Sequence, residues 1–188
     1  MKTLLKMEGK YLRRRRGFGL ASGESTGFNP RRVMEMCQLA DVDATHALGR
    51  RLAQGLLEGG TPSCQLLLLQ GQLGAGKTSL VQGLAEGLGI REPITSPTFA
   101  LAHHYRGEVA SRPTALVHLD LYRLEQSASA AELFAQEEEE AAALGAVLAV
   151  EWPERLGFVP EPCWRVELEL AGEGRLARLH GPEISGNR

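Results

Sequence analysis

Three short apolar runs and two longer stretches of helical spacing lay out the chain. Gln65–Gln70 reads QLLLLQ, Ala115–Leu121 reads ALVHLDL and Ala146–Val150 reads AVLAV. Runs of this length are those of buried strands. Trp164–Leu170 alternates instead, with Trp164, Val166, Leu168 and Leu170 facing one way and Arg165, Glu167 and Glu169 the other. A turn at Gly172–Gly174 and a return strand at Arg175–His180 make this a β-hairpin. Cys37–Val42 predicts a short first strand, and Phe99–Tyr105 starts another, with a turn or hairpin around Gly107–Pro113. Ala44, Leu48, Leu52 and Leu56 form one stripe of a helix over Ala44–Leu57, with Asp43 as N-cap, Gly59-Gly60 as its end and Pro62 in the turn that follows. Leu80, Val81, Leu84, Ala85 and Leu88 give a second helix closed by Gly89. Gly83 and Gly87 each cost that helix about 1 kcal/mol relative to alanine, which close packing would explain. Ser129-Ala130-Ala131-Glu132 has the capping-box form and opens a third helix to about Leu144. The run Glu137–Glu140 in it reads as a solvated face, or as a place for a basic partner.

Composition narrows the class. A chain of 188 residues with 43% apolar residues suits one domain. Aromatics are only 5%, so the core is built of Leu, Val and Ala. No apolar run approaches a membrane span. Cys37, Cys64 and Cys163 are widely separated and have no metal-ligand spacing; they suit a reducing, cytoplasmic setting rather than a disulfide framework. Charge is uneven. Residues 1–33 carry nine Lys and Arg against Glu8 and Glu24, whereas the remainder carries 12 basic and 21 acidic residues. Residues 1–33 lack periodicity and read as a disordered basic arm, residues 34–182 as the domain and residues 183–188 as a frayed tail. Arg13–Arg16 could touch nucleic-acid phosphates, but a solvated tail is favoured, and Met34 or Met36 offers an alternative start.

Between the QLLLLQ run and the second helix lies Gly71-Gln72-Leu73-Gly74-Ala75-Gly76-Lys77-Thr78, which fits the phosphate-loop pattern G-x-x-x-x-G-K-[ST] at every fixed position. The chemistry requires these residues. Glycines let backbone N–H groups approach a triphosphate closely, and the helix N-terminus adds positive charge. Lys77 would reach the β- and γ-phosphates and the Thr78 hydroxyl would bind Mg²⁺. Strand–loop–helix context makes this nucleotide binding rather than a glycine-rich turn.

Two further carboxylates end apolar strands: Asp120 and Glu151. Open α/β sheets bind ligands along the carboxyl edge of their strands, so both could reach the metal or an attacking water. In Thr95-Ser96-Pro97-Thr98-Phe99 the hydroxyls either face a γ-phosphate or bond a local turn, and composition alone favours the turn. His103 and His104 would face opposite sides of a strand, which argues against a shared metal. The same set would also serve a small-molecule or nucleoside kinase with Asp120 as base, although the Arg-bearing segments after the loop are short for a lid.

Together GQLGAGKTSL at 71–80, SPTF at 96–99, HLDLYRL at 118–124 and EWPERLG at 151–157 resemble the TsaE (YjeE) family in order and spacing. The resemblance spans roughly Leu39 to His180. It implies a P-loop NTPase fold with a small, mixed, mostly parallel sheet flanked by helices. It implies an ATPase of tRNA threonylcarbamoyladenosine biosynthesis, using ATP and Mg²⁺, weak in isolation and working with TsaB/TsaD-type partners; tRNA would be met only through that complex. By position it implies that Lys77 holds phosphates and Thr78 holds Mg²⁺. Glu151 and Asp120 become metal ligands or organisers of its water, Thr98 a γ-phosphate sensor, and Trp152 a neighbour of the nucleotide or of the partner. Gly71, Leu73, Gly74, Ala75 and Gly76 form the cradle. The family often has Asp where Gln72 stands and Thr where Ser79 stands; Ser79 keeps a hydroxyl, while Gln72 loses a charge.

Overall fold

A computed structural model describes residues 34–58 and 65–182. The basic arm, Gly59-Gly60, Pro62, Cys64 and the C-terminal tail lie outside the described residues. The elements in order are β1 (Met34–Leu39), α1 (Val42–Glu58), β2 (Leu66–Gln70), α2 (Lys77–Gly87), β3 (Ala102–Val109), β4 (Arg112–Asp120), α3 (Ser127–Leu144), β5 (Val147–Glu151), a 3-10 turn (Pro153–Leu156), β6 (Trp164–Ala171) and β7 (Gly174–His180).

The strands form one sheet in the order β1-β7-β6-β2-β5-β4-β3. At its centre β6, β2, β5 and β4 run parallel. Antiparallel β3 flanks β4 and antiparallel β7 flanks β6, while β1 pairs antiparallel with β7 and so points the central way again. The sheet is therefore mixed and mostly parallel, as the resemblance implies, and it ends in the expected hairpin. Side-chain alternation splits β2 between two cores. Leu67 and Leu69 pack with α1 and α2, whereas Leu66 and Leu68 pack with Phe134 and Ala141 of α3. Coverage on both faces explains why β2 and β5 read as uninterrupted apolar runs. Among the described residues no helix is long and apolar enough to cross a membrane.

The helix glycines have a direct cause. A Cβ on Gly83 would run into the His46 backbone, and one on Gly87 would lie 2.6 Å from the Ala53 Cβ. Gly49 of α1 answers from the other side: a Cβ on it would lie 2.5 Å from the Leu84 nitrogen. The α1–α2 pair thus packs almost backbone to backbone, and this fixes the height of α2 over the sheet.

Several boundaries differ from the sequence reading. Asp41, not Asp43, caps α1: its carboxylate accepts the Ala44 N–H at 2.8 Å, and its carbonyl accepts the Thr45 hydroxyl at 3.0 Å. The first strand correspondingly runs from Met34 to Leu39 rather than from Cys37 to Val42. Leu88 caps α2, with Gly89 following at φ 69°. The strand expected from Phe99, β3, begins at Ala102, because Pro97–Leu101 closes a turn instead. Its hairpin reverses at Ala110 and Ser111, both at positive φ, so Gly107 and Pro113 lie within paired strands. Helix α3 starts at Ser127 with Gln126 at the cap, which puts Ser129 inside the helix. Glu137 is buried and lies 2.7 Å from His104 Nε2, so one member of the glutamate run faces β3 rather than solvent. Leu170 is half exposed despite its alternation.

Candidate functional site

β2 ends at Gln70, and the backbone turns back on itself through three glycines, Gly71 (φ 147°), Gly74 (φ 78°) and Gly76 (φ 101°). Gly71 is needed for space as well: a Cβ there would lie 2.5 Å from the Leu168 carbonyl of β6. Gly76 leads directly into α2 and brings no side chain to cap it, and the first turn of α2 holds no acidic residue. The amides and positive end of this helix are left for a ligand.

Lys77 opens α2. It is 5% exposed, and its ammonium donates to the carbonyls of Gly71 at 2.6 Å and Gln72 at 3.1 Å while lying 3.9 Å from the Trp152 ring centroid. Burial lowers its pKa, against the opposing pull of Glu151, Glu154 and Asp120. The charge is held within its own loop at the mouth of the cleft.

The two strand-end carboxylates meet because β4 and β5 are adjacent and in register, Asp120 opposite Glu151. Both are buried. Glu151 Oε1 accepts the Thr78 hydroxyl at 2.9 Å and is 2.9 Å from His118 Nε2. Asp120 Oδ2 accepts the Ser96 hydroxyl at 3.2 Å and a short hydrogen bond from the Thr98 hydroxyl, while Oδ1 accepts the Tyr122 N–H at 2.9 Å. The Thr95–Phe99 stretch is thus both a local turn, with Ser96 and Thr98 hydroxyls 2.6 Å apart, and a pair of hydroxyls on the cleft carboxylate. Trp152 sits at φ 60°, its N–H on the Leu69 carbonyl and its ring 4.9 Å from that of Tyr122.

These groups surround one open cleft of about 290 Å³. Leu73, Gly74, Gly76, Lys77, Thr78 and Ser79 line it from the loop and α2; Thr98, Asp120, Glu151 and Trp152 line it from the opposite side. Among the sequence candidates, Gln72 contributes its carbonyl, which accepts from Lys77 and from the Ala75 N–H. Its residue is otherwise exposed, and Ala75 is fully buried beneath the loop. Sequence reasoning assigned no role to His118, Tyr122 or Arg175, and to Ser96 only the shared alternative of a γ-phosphate contact or a local turn. His118 had a signal, a single ring nitrogen donor inside an otherwise apolar strand two residues before Asp120. Arg175 had none; it reaches the Gly74 carbonyl, 3.4 Å away, only through the β6–β7 hairpin.

The donor set suits a hard divalent cation. Thr78, Asp120 and Glu151 offer oxygen alone, the preference of Mg²⁺. Among the described residues no three His, Cys, Asp or Glu converge as a metal site.

A parallel strand, a glycine loop of this geometry and a helix opening on lysine define the P-loop fold class. The family model of "Threonylcarbamoyl adenosine biosynthesis protein TsaE" matches residues 39–178. The chain belongs to the TsaE family. It is 47% identical over 125 residues to the "tRNA threonylcarbamoyladenosine biosynthesis protein TsaE" of Synechocystis sp., covering 65% of this chain and 72% of that relative. The protein of the same name from Nostoc sp. is 41% identical over 137 residues, 72% of this chain and 78% of the relative. That from Aquifex aeolicus is 34% identical over 140 residues, 73% and 88%. The crystal structure of YdiB from Bacillus subtilis shares the fold, with a TM-score of 0.58 at 24% identity over 79% of this chain and 86% of that one.

Proposed function

We propose that the cleft binds ATP with Mg²⁺ and hydrolyses it, as the ATPase of tRNA threonylcarbamoyladenosine biosynthesis in the cytoplasm, acting with TsaB/TsaD-type partners. The observation that carries this reading is the convergence of Lys77 and Thr78 with Asp120 and Glu151 on one cleft. The names and identities of the relatives support the pathway. The loop amides and the start of α2 take the phosphates, and Lys77 exchanges the carbonyls of Gly71 and Gln72 for phosphate oxygens. The Thr78 hydroxyl, now on Glu151, would be a ligand of the metal, and Glu151 and Asp120 would hold the metal or its water. Bound Mg²⁺ would neutralise charge developing on the phosphate oxygens. Thr98, hydrogen-bonded to Asp120, is placed by this reading to sense the γ-phosphate through that carboxylate. Trp152 and Tyr122 wall the cleft on one side.

The test is ATP turnover and product analysis with wild type, Lys77→Ala and Glu151→Ala. Wild type releases free phosphate slowly. Lys77→Ala loses ATP binding. Glu151→Ala lowers hydrolysis about 10- to 100-fold and spares binding better. Unchanged ATP affinity in the Lys77 variant would sink the site assignment, and transfer of the phosphoryl group to an added acceptor would favour a kinase.

A further inference from the structure

We propose that His118 is a positioning residue for Glu151, holding that carboxylate in place when the Thr78 hydroxyl turns to the metal. The inference rests on the proposed Mg-nucleotide reading of the cleft. His118 is fully buried near the C-terminal end of β4, between Val117 and Leu119, which face the α3 core. It shares its side of the strand with Leu116, which packs in the α1–α2 core. Packing alone would be met there by another leucine. A buried imidazole costs free energy unless its nitrogens are hydrogen-bonded, and here the exchange is incomplete. Nε2 has Glu151 Oε1 at 2.9 Å, while Nδ1 is buried and has no hydrogen-bond partner among the described residues. Among the described residues its one side-chain hydrogen bond is thus to Glu151.

That bond is well placed. Two side chains meet Glu151 on the same oxygen, Thr78 from α2 and His118 from β4. On the proposed reading Oε2 would face the metal ion or its water. A carboxylate can only accept, so pairing with an ionised Glu151 requires the imidazole to present Nε2–H. The two donors differ in permanence. The Thr78 hydroxyl is the group that a metal would recruit, and its departure would leave the carboxylate without that anchor. His118 cannot follow, because it lies beneath the carboxylate in the core and belongs to a strand paired on both sides. An outer hydrogen bond of this kind typically changes metal affinity 10- to 100-fold.

The test compares His118→Gln, which can present an N–H, with His118→Met, of similar length and without one. His118→Leu serves as a second donor-free variant should the Met protein fail to fold, folding being checked by thermal melting. Affinity for a fluorescent ATP analogue is measured in EDTA and across a MgCl₂ titration, alongside steady-state hydrolysis. The expected result has three parts. All variants bind the analogue in EDTA as wild type does. The Mg²⁺ requirement rises about 10-fold or more in the donor-free variants. It is substantially restored in His118→Gln. Wild-type Mg²⁺ dependence in the donor-free variant, equal loss in Gln and Met, or an equal loss of binding in EDTA would each overturn the inference. A wild-type protein with no Mg²⁺-dependent binding would instead overturn the proposed function beneath it.

Discussion

Lys77 illustrates what a functional residue costs its own fold. Its pKa is lowered mainly by burial, so the charged form is less favourable in the folded chain than in the unfolded one. The penalty is fully present at neutral pH and is relieved as pH rises through the lowered folded value towards the ordinary 10.5. Lys77→Met should therefore abolish phosphate binding without lowering the melting temperature at pH 7. Wild type should then gain stability relative to the variant as pH climbs towards 10.5. Parallel melts of both proteins across that range check this; a large drop in the variant at pH 7 would mean that the bonds to Gly71 and Gln72 outweigh the burial. At this scale the sequence was most readable where chemistry demands a fixed pattern. Gly71–Thr78 could be read directly because a phosphate cradle leaves few alternatives. Asp120 and Glu151 were readable as carboxylates ending apolar strands. His118 was less so, since its partner is 33 residues away and only strand pairing brings them together.

At the scale of elements, α2 presents the loop and α1 holds α2. Their contact through Gly49, Gly83 and Gly87 leaves no room for a methyl group. Gly83→Ala should cost about 1–3 kcal/mol through overpacking, a fall of about 3–10 °C in melting temperature for a chain of this size. It should also weaken nucleotide binding, because α2 would have to lift and carry Lys77 and Thr78 with it. Calorimetry and nucleotide titration on the variant measure both; loss of stability with unchanged affinity would uncouple the helix pair from the site. The sequence disclosed the cost of Gly83 and Gly87 but not Gly49, the partner position in α1. It missed the cap at Asp41 and the start of α3 because several Asp, Ser and Gln residues compete for each cap, and tertiary placement decides among them. Glu137 was misread for a related reason. Its environment is set by His104 on β3, not by its acidic neighbours along α3.

For the whole molecule, the sheet order is what makes a site out of separated segments. The parallel block places the ends of β2, β5 and β4 along one edge, so the loop, Glu151 and Asp120 share a cleft. The α/β character could be read from the chain, whereas the outermost position of β1 could not, because its pairing with β7 joins opposite ends of the domain. Such a site should also be visible in global stability. At a free MgATP concentration 100 times its dissociation constant, the folded state should gain about 2.7 kcal/mol, and Lys77→Ala should gain none; equal shifts in the two proteins would place the nucleotide elsewhere. The most direct measurement of the account as a whole is phosphate release from ATP, with Mg²⁺, by the full chain alone and with TsaB/TsaD-type partners. The account predicts slow release alone, strong stimulation by the partners, and abolition of both by Lys77→Ala. Release that is unaffected by the partners, or that persists in the Lys77 variant, would contradict it.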